Sequence, residues 1–211
     1  MLCGLWASAL TPKVQEAYED SDTELWVMND FFNLIYPREK ITRIYNLHYG
    51  IEASYASREM WGNWKWHYND CENAHMYKWH DEIVTGIDRV KNFDIDRALS
   101  FWPEGAYQSS FSYMLADAVL DGFCHVAISR CRLAAEEEHE AQCRPLLWCL
   151  RECEKLGVSV DAEWRYEWEG RYTEEEKNSI QFNPAYCMKK RYGVKPIDPK
   201  ALWSSKGGVV V

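Results

Sequence analysis

The sequence predicts an α/β fold, a mostly parallel sheet flanked by helices, and three observations carry that prediction. Short apolar runs of strand length, at 2–7, 24–28 and 41–49, are spaced by polar or helix-like connections over the first fifty residues. The stretch Tyr107–Ser129 reads as a capped helix, a glycine stop and a strand. A further helical period ends at Gly157 and is followed at once by the apolar run 158–160, the end of another helix–strand unit.

Taken in order, residues 2–7 are the first strand candidate, and Thr11-Pro12 opens a helix that runs to about Asp20, since proline is at home in a first helical turn. The run 24–28 is the second strand. It ends in Asn29-Asp30, polar residues at the carboxyl edge where open parallel sheets carry their ligands. Residues 31–40 read as a loop or short helix broken by Pro37, and 41–49 as the third strand, with Asn46 and His48 near its end and Gly50 closing it. A helical, aromatic-rich insert spans about 51–85. Glu52–Tyr68 and Glu72–Thr85 are its two helices, split at Asn69-Asp70-Cys71, and Trp61, Trp64, Trp66 and Trp79 are concentrated there. Residues 84–101 are mixed and polar, with a short strand near Arg89–Phe93, and Trp102–Gly105 is a turn.

In the central unit Ser109 or Ser110 is placed to cap a helix, because a hydroxyl there accepts from an unpaired first-turn amide. Phe111, Met114, Leu115, Ala118 and Val119 make its apolar face, Gly122 supplies a left-handed stop, and 125–128 is the strand. Two hydroxyls and several amides at a helix N-terminus attract a phosphate or another anion. The acidic run 136–140 suits the first turns of a helix, where negative charge opposes the dipole, and Pro145 marks a helix start or a kink. The domain is expected to span 1–162. Residues 163–211, with Pro184, Pro196 and Pro199 and few apolar periods, read as an irregular tail that packs on the domain or on a neighbouring subunit of a homo-oligomer.

Composition narrows the function classes. A net charge of −9 over 211 residues argues against a sequence-independent nucleic-acid binder, which needs clustered Lys and Arg, but leaves room for a small anionic ligand in a backbone-lined pocket. The eleven Trp and thirteen Tyr read as core and groove filling, with a stacking site as the alternative. Eight cysteines, at 3, 71, 124, 131, 143, 149, 153 and 187, contain no Cys-x-x-Cys and read as reduced, non-ligating residues; Cys149 and Cys153 in particular read as small core side chains. His67, His75 and His80 fall within fourteen residues, but no acidic partner completes a ligand spacing, so neither a metal nor another cofactor is expected. The opening residues lack a basic leader region, and no run approaches the ~18 apolar residues of a membrane span, so a soluble cytoplasmic protein without a membrane partner is expected.

The order of elements, with a Gly4-x-x-x-Ser8 loop that overlaps the end of the first strand, Asn29 after the second, Ser109-Ser110 at a helix start and Arg144-Pro145 opening a long helix, resembles small Rossmann-like proteins encoded by bacteriophages. More distantly, over about 1–160, it is similar to the small bacterial sialyltransferases and the pterin-pyrophosphokinase-like fold. The resemblance implies a glycosyltransferase-like protein in the cytoplasm of a host cell. A nucleotide or nucleotide sugar would be held by Gly4, Ser8, Asn29, Ser109 and Ser110, with Arg130 or Arg144 facing phosphate charge. His48, near the edge of the third strand, is the candidate general base for an inverting displacement.

The departures from the sialyltransferase pattern are specific. Trp6 stands where that family has a glycine that lets phosphate approach, and Ser129-Arg130-Cys131 replaces its Gly-x-Asp. The family's catalytic histidine has no convincing counterpart, since His139 lies in the acidic run. These departures favour two alternatives: a non-catalytic protein that sequesters a nucleotide-like ligand, and an assembly protein that inherited the fold.

Overall fold

The computed structural model of the chain describes residues 2–3, 19–29, 38–47, 64–78, 84, 86–129, 137–162 and 165–180. Among them are strands β1 (Leu2–Cys3), β2 (Leu25–Met28), β3 (Ile41–Asn46), β4 (His75–Lys78), β5 (Val90–Asn92), β6 (His125–Ser129) and β7 (Ser159–Ala162). The α-helices are α1 (Trp64–Asn69), α2 (Ile95–Phe101), α3 (Ser110–Leu120), α4 (Glu137–Lys155), α5 (Arg165–Glu169) and α6 (Glu174–Lys177). The fold is α/β with a mostly parallel sheet, as the sequence predicts. The chain divides into two compact units: one contains residues 1–93, 125–132 and 160–164, the other 94–124, 133–159 and 165–211.

The first unit is the sheet, in the order β5-β4-β3-β2-β1-β6-β7. β1 pairs in parallel with both β2 and β6, and β2–β3, β3–β4 and β4–β5 are parallel as well. The chain therefore steps outward from β1 to β5 and then returns to the other side of β1 to place β6, which makes β1 and β6 the switch point of the sheet. The strands are short and apolar because parallel strands are covered on both faces. Leu25, Trp26, Val27, Ile41, Ile44, Tyr45 and Met76 are all buried. Thr42 is an extra residue where the register shifts between Leu25 and Trp26, and its hydroxyl donates to the Leu25 carbonyl at 3.2 Å.

The segment His75–Lys78 corrects the expectation of a helix over 72–85. It is a strand between β3 and β5, with Met76 buried and its neighbours half-buried. The break expected at 69–71 is real: α1 ends at Asn69, and the Cys71 and Ala74 amides close tight turns onto Tyr68 and Cys71. Arg89 donates to the carbonyls of Cys71 (2.6 Å) and Tyr68 (3.5 Å) and so satisfies acceptors left by the end of α1.

The second unit is helical. α3 and α4 pack against each other, with Phe111, Met114, Leu115 and Ala118 buried on α3 and Leu146, Leu147, Cys149, Leu150 and Cys153 on α4. α3 ends as expected: Gly122 takes φ +89°, its amide bonds the Val119 carbonyl and the Phe123 amide bonds that of Ala118. Gly157 closes α4 in the same way at φ +83°. Arg97 of α2 ties the two helices by reaching Asp117 (2.8 Å) and Asp121 (2.6 Å) on α3.

Two local expectations change in this unit. Pro145 neither starts nor ends a helix; it lies within the nineteen residues of α4. The tail is not irregular throughout, since α5 and α6 form between 165 and 177. α6 is set by a capping box, in which the Thr173 hydroxyl accepts from the Glu176 amide while the Glu176 carboxylate accepts from the Thr173 amide. Both helices are held to α4 by charge: Arg165 pairs with Glu154, and Arg151 with Glu174 at 3.0 Å. The expected helix at 11–20 lies outside the described residues apart from its last two positions.

Candidate functional site

The carboxyl edge of the sheet is built residue by residue from the strand ends. β2 stops at Met28 because Asn29 turns into the left-handed region, at φ +53°, the one described non-glycine residue to do so. Asparagine tolerates this region better than most side chains, but the conformation still carries a cost. The Asn29 amide donates to the Tyr45 carbonyl of β3 at 2.8 Å, which fixes the turn against the neighbouring strand. The residue is 8% exposed, and its side-chain oxygen Oδ1 is buried with no hydrogen-bond partner. An unpaired buried acceptor costs about 1–3 kcal/mol. Asn29 therefore combines a strained backbone with an unsatisfied acceptor at the edge of β2, one strand from the switch point.

Further along the same edge the register sets Asn46 beside Lys78 and Lys78 beside Asn92. Asn46 is buried, and the Lys78 ammonium donates to Asn92 Oδ1 at 2.8 Å. The strand ends thus carry three carboxamides and one cation. Lys78 and Asn92 were missed by sequence reasoning: the first was assigned to a helix, and the second, within the short strand expected near 89–93 and found as β5, carried no motif. Of the other expected ligand contacts in this unit, Gly4, Ser8, His48 and Arg130 lie outside the described residues.

The second unit holds the remaining expected residues. Ser109 occupies the N-cap position of α3 with an extended backbone, but its hydroxyl makes no capping bond; it lies 3.4 Å from the Ser112 hydroxyl instead. Ser110 is the half-buried first residue of the helix. Gln108, just before the cap, is 4% exposed: its Nε2 donates to the Gly105 carbonyl at 3.3 Å while Oε1 is buried without a partner. No periodicity marks Gln108; its place beside two serines at the expected helix start was the available signal. Arg144 donates from Nε to the Glu176 carbonyl at 2.8 Å and from Nη2 to the Ser179 hydroxyl, so its guanidinium holds the end of α6.

The weighed alternatives also find places. Cys71, Cys143, Cys149 and Cys153 are buried free thiols, as the small-core reading of Cys149 and Cys153 anticipated. Burial pushes the thiols of Cys71 and Cys153 up to about 12 and that of Cys149 well above the usual range, which leaves them protonated at neutral pH. His67 lies on α1 and His75 on β4, and His80 lies outside the described residues. Among the described residues no group of three or more His, Cys, Asp or Glu side chains comes together as a metal site, and no helix is long and apolar enough to cross a membrane.

Comparison with protein-family models, with curated proteins and with solved structures finds no match for this chain.

Proposed function

We propose that this chain is a glycosyltransferase-like protein that binds a nucleotide or nucleotide sugar at the carboxyl edge of its parallel sheet, against the end of β2. The observation that carries the reading is Asn29: a left-handed backbone and a buried acceptor without a partner, at the sheet edge that serves ligands in open α/β folds. The free acceptor calls for a ligand that donates, as a ribose hydroxyl or a base amino group does. The transferase part rests on the resemblance to the small bacterial sialyltransferases, with His48 as the proposed base. A sequestering protein would use the same contacts without turnover.

The test is a thermal-shift screen of the full chain against nucleotides and nucleotide sugars. A ligand at 100 times its dissociation constant adds about 2.7 kcal/mol of stability. The expected result is a shift with a nucleotide or nucleotide sugar that Asn29→Ala abolishes. Release of free nucleotide that His48→Ala abolishes would assign transfer, whereas binding without release would assign sequestration. No shift with any nucleotide, or an equal shift in Asn29→Ala, would overturn the proposed site.

A further inference from the structure

One face of the same strands has a different chemistry. The register pairs Trp26 with Arg43, Arg43 with His75, and Tyr77 with Lys91. Side chains alternate along a strand, so Trp26, Arg43, Tyr45, His75, Tyr77 and Lys91 share one face of β2–β5. The other face carries Val27, Ile44 and Met76, all buried. The shared face is aromatic and cationic. Tyr45 and Tyr77 stack with centroids 5.0 Å apart, and the Arg43 guanidinium lies 4.0 Å over the Trp26 ring. Glu24 accepts from Arg43 Nε at 3.2 Å and from Trp26 Nε1 at 2.6 Å, which holds both in place.

His75, at the start of β4, has a buried Nδ1 with no hydrogen-bond partner. Burial first, and then the charges of Lys91, Arg89 and Arg43, hold the imidazole below its usual range. Lys91 is exposed and, among the described residues, has no ion-pair partner. Among the described residues, Arg43, Arg89 and Lys91 thus lie around an unsatisfied ring nitrogen, with Glu24 paired to Arg43, on a chain whose net charge is −9. An oxyanion reverses each of these costs: it accepts from the ring N–H and offsets the surrounding positive charge.

We propose that β3, β4 and β5 carry a second site, on this one face of the sheet, which takes the oxyanion of a phosphate or carboxylate group between Arg43, His75 and Lys91. His75 is the hydrogen-bond donor, Lys91 the outer charge, and Arg43 the inner one, oriented by Glu24 and Trp26.

The experiment follows the His75 ring nitrogens by long-range ¹H–¹⁵N NMR in the full chain. Inorganic phosphate, acetate and sodium chloride are titrated at matched ionic strength. Phosphate or acetate is expected to shift the His75 signals saturably and to raise the imidazole pKa, with Arg43, Arg89, Lys91 and Glu24 as the charged groups around it. A response to phosphate alone assigns a phosphoryl ligand, and one to acetate alone a carboxylate. Lys91→Ala, at an exposed position, is expected to weaken binding roughly threefold. A response no larger than that of chloride would overturn the proposal. So would equal binding by Lys91→Ala, or loss of the response in Asn29→Ala, which would place the anion at the carboxyl edge.

Discussion

Asn29 bears two costs that a purely structural position would shed. Its φ of +53° is one that glycine adopts freely, and its buried Oδ1 has no donor. Asn29→Gly removes both. Against this stands the greater freedom of glycine in the unfolded chain, which costs roughly 0.5–1 kcal/mol. The expected net effect is a gain of about 1 kcal/mol in the stability of the ligand-free protein, measured by urea unfolding. The same variant is expected to lose ligand-induced stabilisation. A variant less stable than the native chain would show that the carboxamide contributes to the fold itself. The sequence made the position of Asn29 legible, since a polar residue ends an apolar run. It could not show the left-handed backbone or the missing partner, because both depend on how β3 receives the Asn29 amide. Gln108 was illegible for a related reason: its burial comes from tertiary packing, and its neighbours in sequence carry no period.

Glycine stops and caps were the most legible elements, because their physics is local. Gly122 and Gly157 both take left-handed conformations at helix ends, and both are followed by a backbone bond back into the helix. A Cβ added at Gly122 meets nothing within 4 Å, so the effect of Gly122→Ala is conformational alone. It is expected to cost about 1–2 kcal/mol, the penalty of a left-handed L-residue, read as a lower urea midpoint with an unchanged slope. No change would mean that the end of α3 rearranges to a right-handed turn. β4 was illegible because four residues, His75-Met76-Tyr77-Lys78, have one buried aliphatic side chain among polar and aromatic ones. So short a run fits either period. Pairing with β3 and β5 decides it, and that information lies some thirty residues upstream and fifteen downstream. At Pro145 the sequence left a helix start or a kink open, and its place inside α4, among the buried Leu146, Leu147 and Leu150, excludes the start.

The response of the chain to acid follows from groups spread over both units. Burial is the first cause that holds His67 and His75 below their usual range, so each is neutral when folded and more easily protonated when unfolded. Their contribution is complete above the unfolded pKa, near 6.5, and is lost as pH falls through their folded values. Carboxylates supply a second descent. Hydrogen bonds from Arg151 and Lys177 lower Glu174 to about 2, and a hydrogen bond from Arg165 lowers Glu154. Their folded pKa values lie below the unfolded 4.5, so this stability is present above 4.5 and disappears as pH falls towards 2. The net charge of −9, which the sequence gives directly, fixes neither step; what matters is which carboxylates meet arginines, and Arg151 meets Glu174 across 23 positions of chain. The expected profile of urea stability against pH is flat between about 7 and 8, with one decline below 6.5 and another between 4.5 and 2. Glu174→Gln should leave the upper decline intact and flatten part of the lower one, because a neutral amide has no proton to gain. If the two profiles superimpose from 4.5 to 2, the pair between α4 and α6 is too loose to couple to unfolding, as many exposed ion pairs are, and acid lability must come from Glu154 and the other carboxylates.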